Sequence, residues 1–324
     1  MAISTLRRKG ARLPEWRALG CLLLVGTLLA LSYVVAKQAD AAGTPKLHLL
    51  VVSMAGAGLV LLGIARLQQR TARLSPRLCE YALVSGMLLA FPNAMGFLAV
   101  RHVGAGFVSL SLAFPILVTW LLAVMLKLEP LIKIRLLGVL FGLAGGVLLA
   151  LGKASEIAGS WGWAAIVLAM PAVIAFGNVY RTLRWPPQAE PVFLAALMLF
   201  GAAASLLPFA IVLEPGRSIA LIASQGSAWL VLALSVVFTV LYLFFFLLQR
   251  LAGPVYFSQI GTVAALVGSG IAVLALNEPL PSHLGPAAAL IGLGTILFHR
   301  GARLQRTQPG ATTPRTHGHT PPAR

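Results

Sequence analysis

Charge is what this sequence has least of. Of 324 residues only 10% are Asp, Glu, Lys or Arg, and just eight of them are acidic. A soluble domain carries roughly 25% charged residues to clothe its surface, so a soluble globular class is excluded before any motif is sought. Cysteine is nearly missing too. Cys21 and Cys79 are the only two, each inside or at the start of an apolar run, which rules out a disulfide framework and a thiolate metal centre. Six histidines lie scattered at the ends of runs and in the tail. There is no glycine-rich phosphate loop, no His–Cys ligand spacing and no Ser-His-Asp set. The apolar runs hold no acid in their central turns, so an intramembrane hydrolase has nothing to work with. The expectation is a protein that is not an enzyme, with no catalytic residues, no cofactor and no metal.

What fills the chain instead is apolar side chain, 59% of residues, with a mean hydropathy of +0.90. Ten stretches fenced by charged residues are long enough to cross a bilayer, which takes about 20 residues as helix. The fences are Arg17–Lys37, Lys46–Arg66, Glu80–Arg101, His102–Lys127 and Arg135–Lys153. In the second half they are Glu156–Arg181, Glu190–Glu214, Arg217–Arg250, Arg250–Glu278 and Glu278–Arg300. Lipid offers the backbone no hydrogen-bond partner, so the spans must be helical. A β-barrel would need alternation along each strand, and these runs are continuously apolar. The first span also fits a secretory signal, with its basic start and small residues at Ala39-Asp40-Ala41. Its apolar core is long for that role, and the repeat described next requires it as a helix.

The net charge of +17 invites a nucleic-acid reading, but the positions of the bases answer it. With the amino terminus inside, 20 of the 25 Lys and Arg fall on the inner side. Only Lys37, Lys46, Arg101, Lys153 and Arg217 fall outside. That is the positive-inside bias. The expected partner is anionic lipid at the cytoplasmic face, not nucleic acid. Both termini are expected in the cytoplasm of a bacterial-type inner membrane.

A repeat runs through the chain. A shift of 149 residues lays Arg101 on Arg250, Gly104 on Gly253 and Ser109 on Ser258. It also lays Glu129-Pro130-Leu131 on Glu278-Pro279-Leu280, Asn93 on Tyr242 and Phe97 on Phe246. At a slightly smaller offset Trp16 matches Trp161 and Val34 matches Val179. Five spans per copy is odd, so the copies enter the membrane in opposite senses. Inverted repeats of this sort are a recurrent plan of secondary carriers. The expected fold is an all-α integral membrane protein, ten transmembrane helices as two inverted five-helix repeats. Residues 1–17 form a basic cytoplasmic start, 18–152 the first repeat, 157–300 the second and 301–324 a disordered cytoplasmic tail.

The segment from Gly104 through Ser109 and Pro115 to Leu128-Glu129-Pro130-Leu131, followed by Gly138, Gly142, Gly145 and Gly146, resembles the carboxyl part of an EamA domain of the drug/metabolite transporter superfamily. The segment from Gly253-Pro254 to Asn277-Glu278-Pro279-Leu280 and Gly292-Leu293-Gly294 is similar to it again, and Tyr33-Val-Val-Ala-Lys37 is similar to that family's first-helix ending. The resemblance spans about residues 18–300. It implies a ten-helix carrier of small metabolites, amino acids or drugs, often an exporter. It also implies a cavity formed mainly by helices one, three, four, six, eight and nine, with five and ten at the periphery. Unlike the four-helix multidrug members, this chain has no carboxylate at membrane depth, so a central acid exchanging protons for a cationic drug is not expected. The alternative from another class is a non-transporting receptor or assembly partner.

Polar side chains inside lipid mark protein or water, and they give the candidate substrate site. Gly86, Ala90, Asn93 and Phe97 share a stripe on the third span, and Ser235, Thr239, Tyr242 and Phe246 share the matching stripe on the eighth. These are either facing walls of a cavity or the small-residue contacts by which helices pack. Asn178, Tyr256, Gln259, Thr262 and Ser109 add polar positions on the sixth, ninth and fourth spans, and Tyr33 adds one on the first. Pro92, Pro115 and Pro171 are expected to interrupt their helices. Lys37 and Arg181, at matching ends of the first and sixth spans, either draw an anionic group to each mouth or snorkel to the interface. Glu129 and Glu278 read as helix-start residues. Gly138, Gly142 and Gly146 suit close packing within the monomer or at a homodimer seam.

Overall fold

The computed structural model describes residues 15–127, 130–156, 161–187, 189–215, 227–257, 259–277 and 283–307. Glu129, Glu278 and the histidine pair of the tail lie outside them. Every regular element among the described residues is a helix, ten in all. In chain order they are α1 (Glu15–Ala41), α2 (Lys46–Leu67), α3 (Pro76–Ser111), α4 (Pro115–Met125) and α5 (Lys133–Glu156). They continue as α6 (Trp161–Leu183), α7 (Pro191–Leu213), α8 (Ala228–Phe257), α9 (Ile260–Leu274) and α10 (Leu284–Thr307).

Six of these helices are long and apolar enough to cross a membrane: Ala18–Ala41 in α1, α2, α3, α6, α7, and Ala228–Arg250 in α8. Two more, α4 and α9, are apolar but shorter. Their outward faces carry large apolar side chains, among them Leu59, Val212, Leu232 and Leu266, each more than half exposed. Water would penalise such a surface by about 25 cal/mol per Å², whereas lipid accepts it. The chain is a multi-pass membrane protein.

The boundaries differ from the fences in one instructive place. Arg101 and His102 end the first of two helical segments that α3 joins across Gly104, so the break between the third and fourth spans falls two residues beyond that fence. At about 1.5 Å per residue a straight helix of 36 residues would be roughly 54 Å long, far beyond a core of about 30 Å. The helix turns instead at Gly104, whose φ of 83° and ψ of 158° are open only to glycine. The fourth span is then interrupted at Leu112–Phe114 before Pro115 opens α4, where a missing N–H costs nothing. Pro92 and Pro171, expected to break their helices, lie inside helices whose backbone stays helical around them.

Packing follows the small residues. α2 lies on α7, α3 on both α6 and α7, α1 on α8 and α9, and α5 on α10. A carbon added at Gly201 would strike the Ala82 carbonyl, and one at Gly86 would strike the Ala202 backbone, so α3 and α7 touch main chain to main chain. α5 and α10 meet the same way through Gly138 and Gly294, each 2.6 Å from the other's carbonyl oxygen if given a Cβ. Between helices already in lipid there is no hydrophobic drive, and such close van der Waals contact holds them together.

Ion pairs gather at the two ends of the bundle. Lys46 pairs with Asp40 at 2.7 Å, and the Glu214 carboxylate accepts from the Leu47 and His48 backbone N–H groups, capping α2 from across the bundle. The Arg184 guanidinium donates to Glu80 at 2.7 Å and that of Arg250 to Glu190 at 2.8 Å.

Candidate functional site

The described residues of the bundle line a partly open cavity of about 60 Å³, room for a few water molecules or a small head group. Its walls come from α1 (Val25, Leu29, Tyr33), α3 (Leu88, Leu89, Pro92, Asn93), α6 (Ile174, Asn178, Arg181) and α8 (Leu241, Tyr242, Phe245). Leu112 and Ile260 close it at the interruptions of the fourth and ninth spans. α5 and α10 add nothing to it among the described residues.

Each polar side chain is placed by its own helix. Tyr33 is 2% exposed, its ring laid over Gly96, where any side chain would collide with it, and 5.8 Å from the Phe97 ring. Asn93 donates from Nδ2 to the Leu89 carbonyl one turn back at 2.8 Å, which turns its Oδ1 away with no partner. Tyr242, 1% exposed, sits between Phe238 and Phe245 and faces the Asn93 amide.

Arg181 is the exceptional member. A charged group leaves water only at a cost of several kcal/mol unless paired, yet it is 2% exposed. Nη2 donates to Asn178 Oδ1 at 2.8 Å, and the guanidinium lies 5.5 Å over the Phe245 ring. Nε and Nη1 have no partner. Gly177 makes this possible, since a carbon there would lie 3.1 Å from both terminal nitrogens. The guanidinium folds back along α6 into the bundle rather than snorkelling to the interface.

Of the residues chosen from the sequence, Asn93, Tyr242, Asn178 and Tyr33 line this one cavity. Phe97 and Phe246 are wholly buried behind it, Phe97 supporting Tyr33 and Phe246 packing on Trp185 and Phe245. Ser109 is buried against Gly268 of α9 with its hydroxyl unpartnered, and the Thr262 hydroxyl is likewise unpartnered. Gln259 caps α9 one residue before Ile260. Lys37 stands half-buried one turn beyond Tyr33, outside the wall. The Tyr256 side chain lies outside the described ones. The two stripes divide by depth. Gly86 and Ser235 are packing positions, Ser235 meeting Gly56 of α2, and only Asn93 and Tyr242 reach the cavity. Sequence reasoning missed Phe245. It also missed Tyr81, a buried phenol on α3 that feels the Arg181 charge and whose hydroxyl is unpartnered.

No protein-family model matches the sequence, and no curated protein matches it. Solved structures do match. One, described only as "Crystal structure of protein", superposes with a TM-score of 0.60 over 87% of this chain and 98% of its own, at 19% identity. At that identity the likeness speaks for the fold alone.

Proposed function

We propose that this chain is a secondary carrier built as two inverted five-helix repeats. It would export small metabolites, such as amino acids or amphipathic drugs, by alternating access around the central cavity, as the EamA-type transporters it resembles do. It works in a bacterial-type inner membrane with both termini in the cytoplasm, the arrangement that puts most Lys and Arg inside.

The observation that carries this reading is that the cavity is walled by repeat mates. Leu29 and Ile174, Tyr33 and Asn178, Pro92 and Leu241, Asn93 and Tyr242 all line it, and each pair is separated by one of the two repeat offsets. Helix packing supports the same two-fold. α3 on α6 is answered by α8 on α1, α3 on α7 by α8 on α2, and α4 on α6 by α9 on α1. Gly138 against Gly294 is answered by Gly145 against Ala287. Leu112 and Gly261, mates at 149 residues, touch each other, as two points on a symmetry axis must. A site on such an axis can be reached from either face when the halves exchange conformations.

The test is flux through proteoliposomes holding the purified chain, loaded with a panel of labelled amino acids and amphipathic amines. Movement above empty vesicles, lowered about tenfold or more in Asn93→Ala and Tyr242→Ala and altered in Gln259→Ala, is expected. Unchanged flux and preference in all three variants would show that the site lies elsewhere, and no flux for any compound would leave a receptor or assembly partner.

A further inference from the structure

The cavity presents its polar groups unevenly. On one wall two guanidinium nitrogens of Arg181 are buried and unpartnered. Each of the described acids that forms an ion pair does so away from the cavity: Asp40 with Lys46, Glu214 with His48, Glu80 with Arg184, and Glu190 with Arg250. Among the described residues no carboxylate accepts from Arg181; its hydrogen-bond partner is the neutral amide of Asn178. Asn93 aside, the remaining lining is apolar or aromatic, with Leu29, Leu89, Ile174 and Phe245 next to the tyrosine rings.

A buried guanidinium without a counter-charge destabilises the fold that contains it. Its planar fork is matched by a two-oxygen acceptor that takes two parallel hydrogen bonds. Because it is a lone cation, it compensates one negative charge, which suits a carboxylate and leaves a doubly charged phosphate half unbalanced. The apolar walls leave no place for a second charge of either sign.

Resting on the carrier reading above, we infer that the cavity recognises the carboxylate of a small amphipathic organic monoanion through Arg181, with the apolar body of the ligand against the aliphatic and aromatic walls. This narrows the carrier reading: cationic drugs, which the resemblance would equally allow, are excluded by the same charge, and zwitterionic amino acids by the lack of a counter-charge for their ammonium group. Asn178 is a positioning residue that holds the guanidinium toward the cavity, and Asn93 Oδ1 is an acceptor for a hydroxyl or N–H on the ligand.

The experiment uses the full chain and three probes of one shape and different charge: 3-methylbutanoate, 3-methylbutanamide and 3-methylbutan-1-amine. Binding is read by calorimetry and by melting temperature in detergent, and flux by labelled probe in proteoliposomes. The acid is expected to bind, and Arg181→Gln to weaken it about 10- to 100-fold, the range of a lost hydrogen bond to a charged group. Arg181→Lys should recover part of the loss. The ligand-free Arg181→Gln protein should melt higher than the natural one, since it no longer buries a charge, whereas a purely structural arginine would lower the melting point when removed. If the amide or the amine binds as well as the acid, or if Arg181→Gln leaves acid binding intact, the anion assignment is overturned while the carrier reading stands. If the acid binds through Arg181 but never crosses the vesicle, the site is upheld and the carrier reading falls. If none of the three binds or crosses, the anion assignment is overturned.

Discussion

At the scale of single residues, the cavity is set by who is denied a partner. Asn93 spends its amide hydrogen on its own helix and keeps its oxygen for the cavity, so Asn93→Ala removes a recognition group together with its contact to Tyr242. Flux should drop about tenfold or more, the equivalent of one hydrogen bond of about 1.4 kcal/mol. The melting temperature should change little, and initial rates in proteoliposomes beside a thermal scan check both. Gly96→Val has the opposite profile. Its side chain would occupy the space of the Tyr33 ring, and overpacking of this kind costs about 1–3 kcal/mol, so both stability and flux should fall. The sequence made Asn93, Tyr242, Asn178 and Tyr33 readable because polar groups in apolar runs stand out. Arg181 was harder. It sits near a helix end, where an arginine ordinarily reaches for water, and only the folded arrangement of Gly177 and Asn178 reveals that it turns inward. Phe245 carried no signal at all, being one phenylalanine among three in a row.

At the scale of elements, apolar length located six helices long enough to cross a membrane and two shorter ones among the described residues, and charge set the break between the third and fourth spans two residues early. Arg101 and His102 fence the third span from the fourth, and the break comes two residues later, at Gly104, with His102 still helical and stacked on Trp163 at 4.4 Å. Hinges depend on backbone angles, and a glycine in a run rich in glycine does not announce which angle it adopts. Gly104→Ala therefore forces a side chain onto φ 83°. It should cost about 1–3 kcal/mol, measured as a lower denaturation midpoint in detergent, and it should slow transport if the α3 bend carries the cavity wall. Glu214 is a second element-scale device, fastening the end of α7 to the start of α2 through two backbone N–H groups and His48. Glu214→Ala leaves those donors unsatisfied and should cost about 1–2 kcal/mol, again read as a shifted midpoint.

For the whole molecule, the contact between α5 and α10 is a demanding one, because Gly138 and Gly294 admit no side chain. Gly138→Leu should separate the two helices and lower the yield of folded protein, seen as aggregation on size-exclusion chromatography. The larger organisation rests on opposed insertion of the two halves. Single cysteines placed before residue 15 and after residue 307, in a chain with Cys21 and Cys79 replaced, should react with an impermeant maleimide from the same side only. Labelling from opposite sides would remove the inverted plan. The matched residues at fixed offsets were legible in the sequence. The contact between Leu112 and Gly261 was not, since crossing is a property of packing rather than of spacing.

The buried guanidinium has no counterpart across that axis. At the offset that brings Tyr33 to Asn178, the mate of Arg181 is Ala36. On the proposed carrier reading, a doubled frame carries a single pole, and a passenger tethered there by its head would keep the same heading through the cycle. It would not tumble end over end, so the two faces of the membrane would meet opposite ends of it: one the passenger's head first, the other its tail.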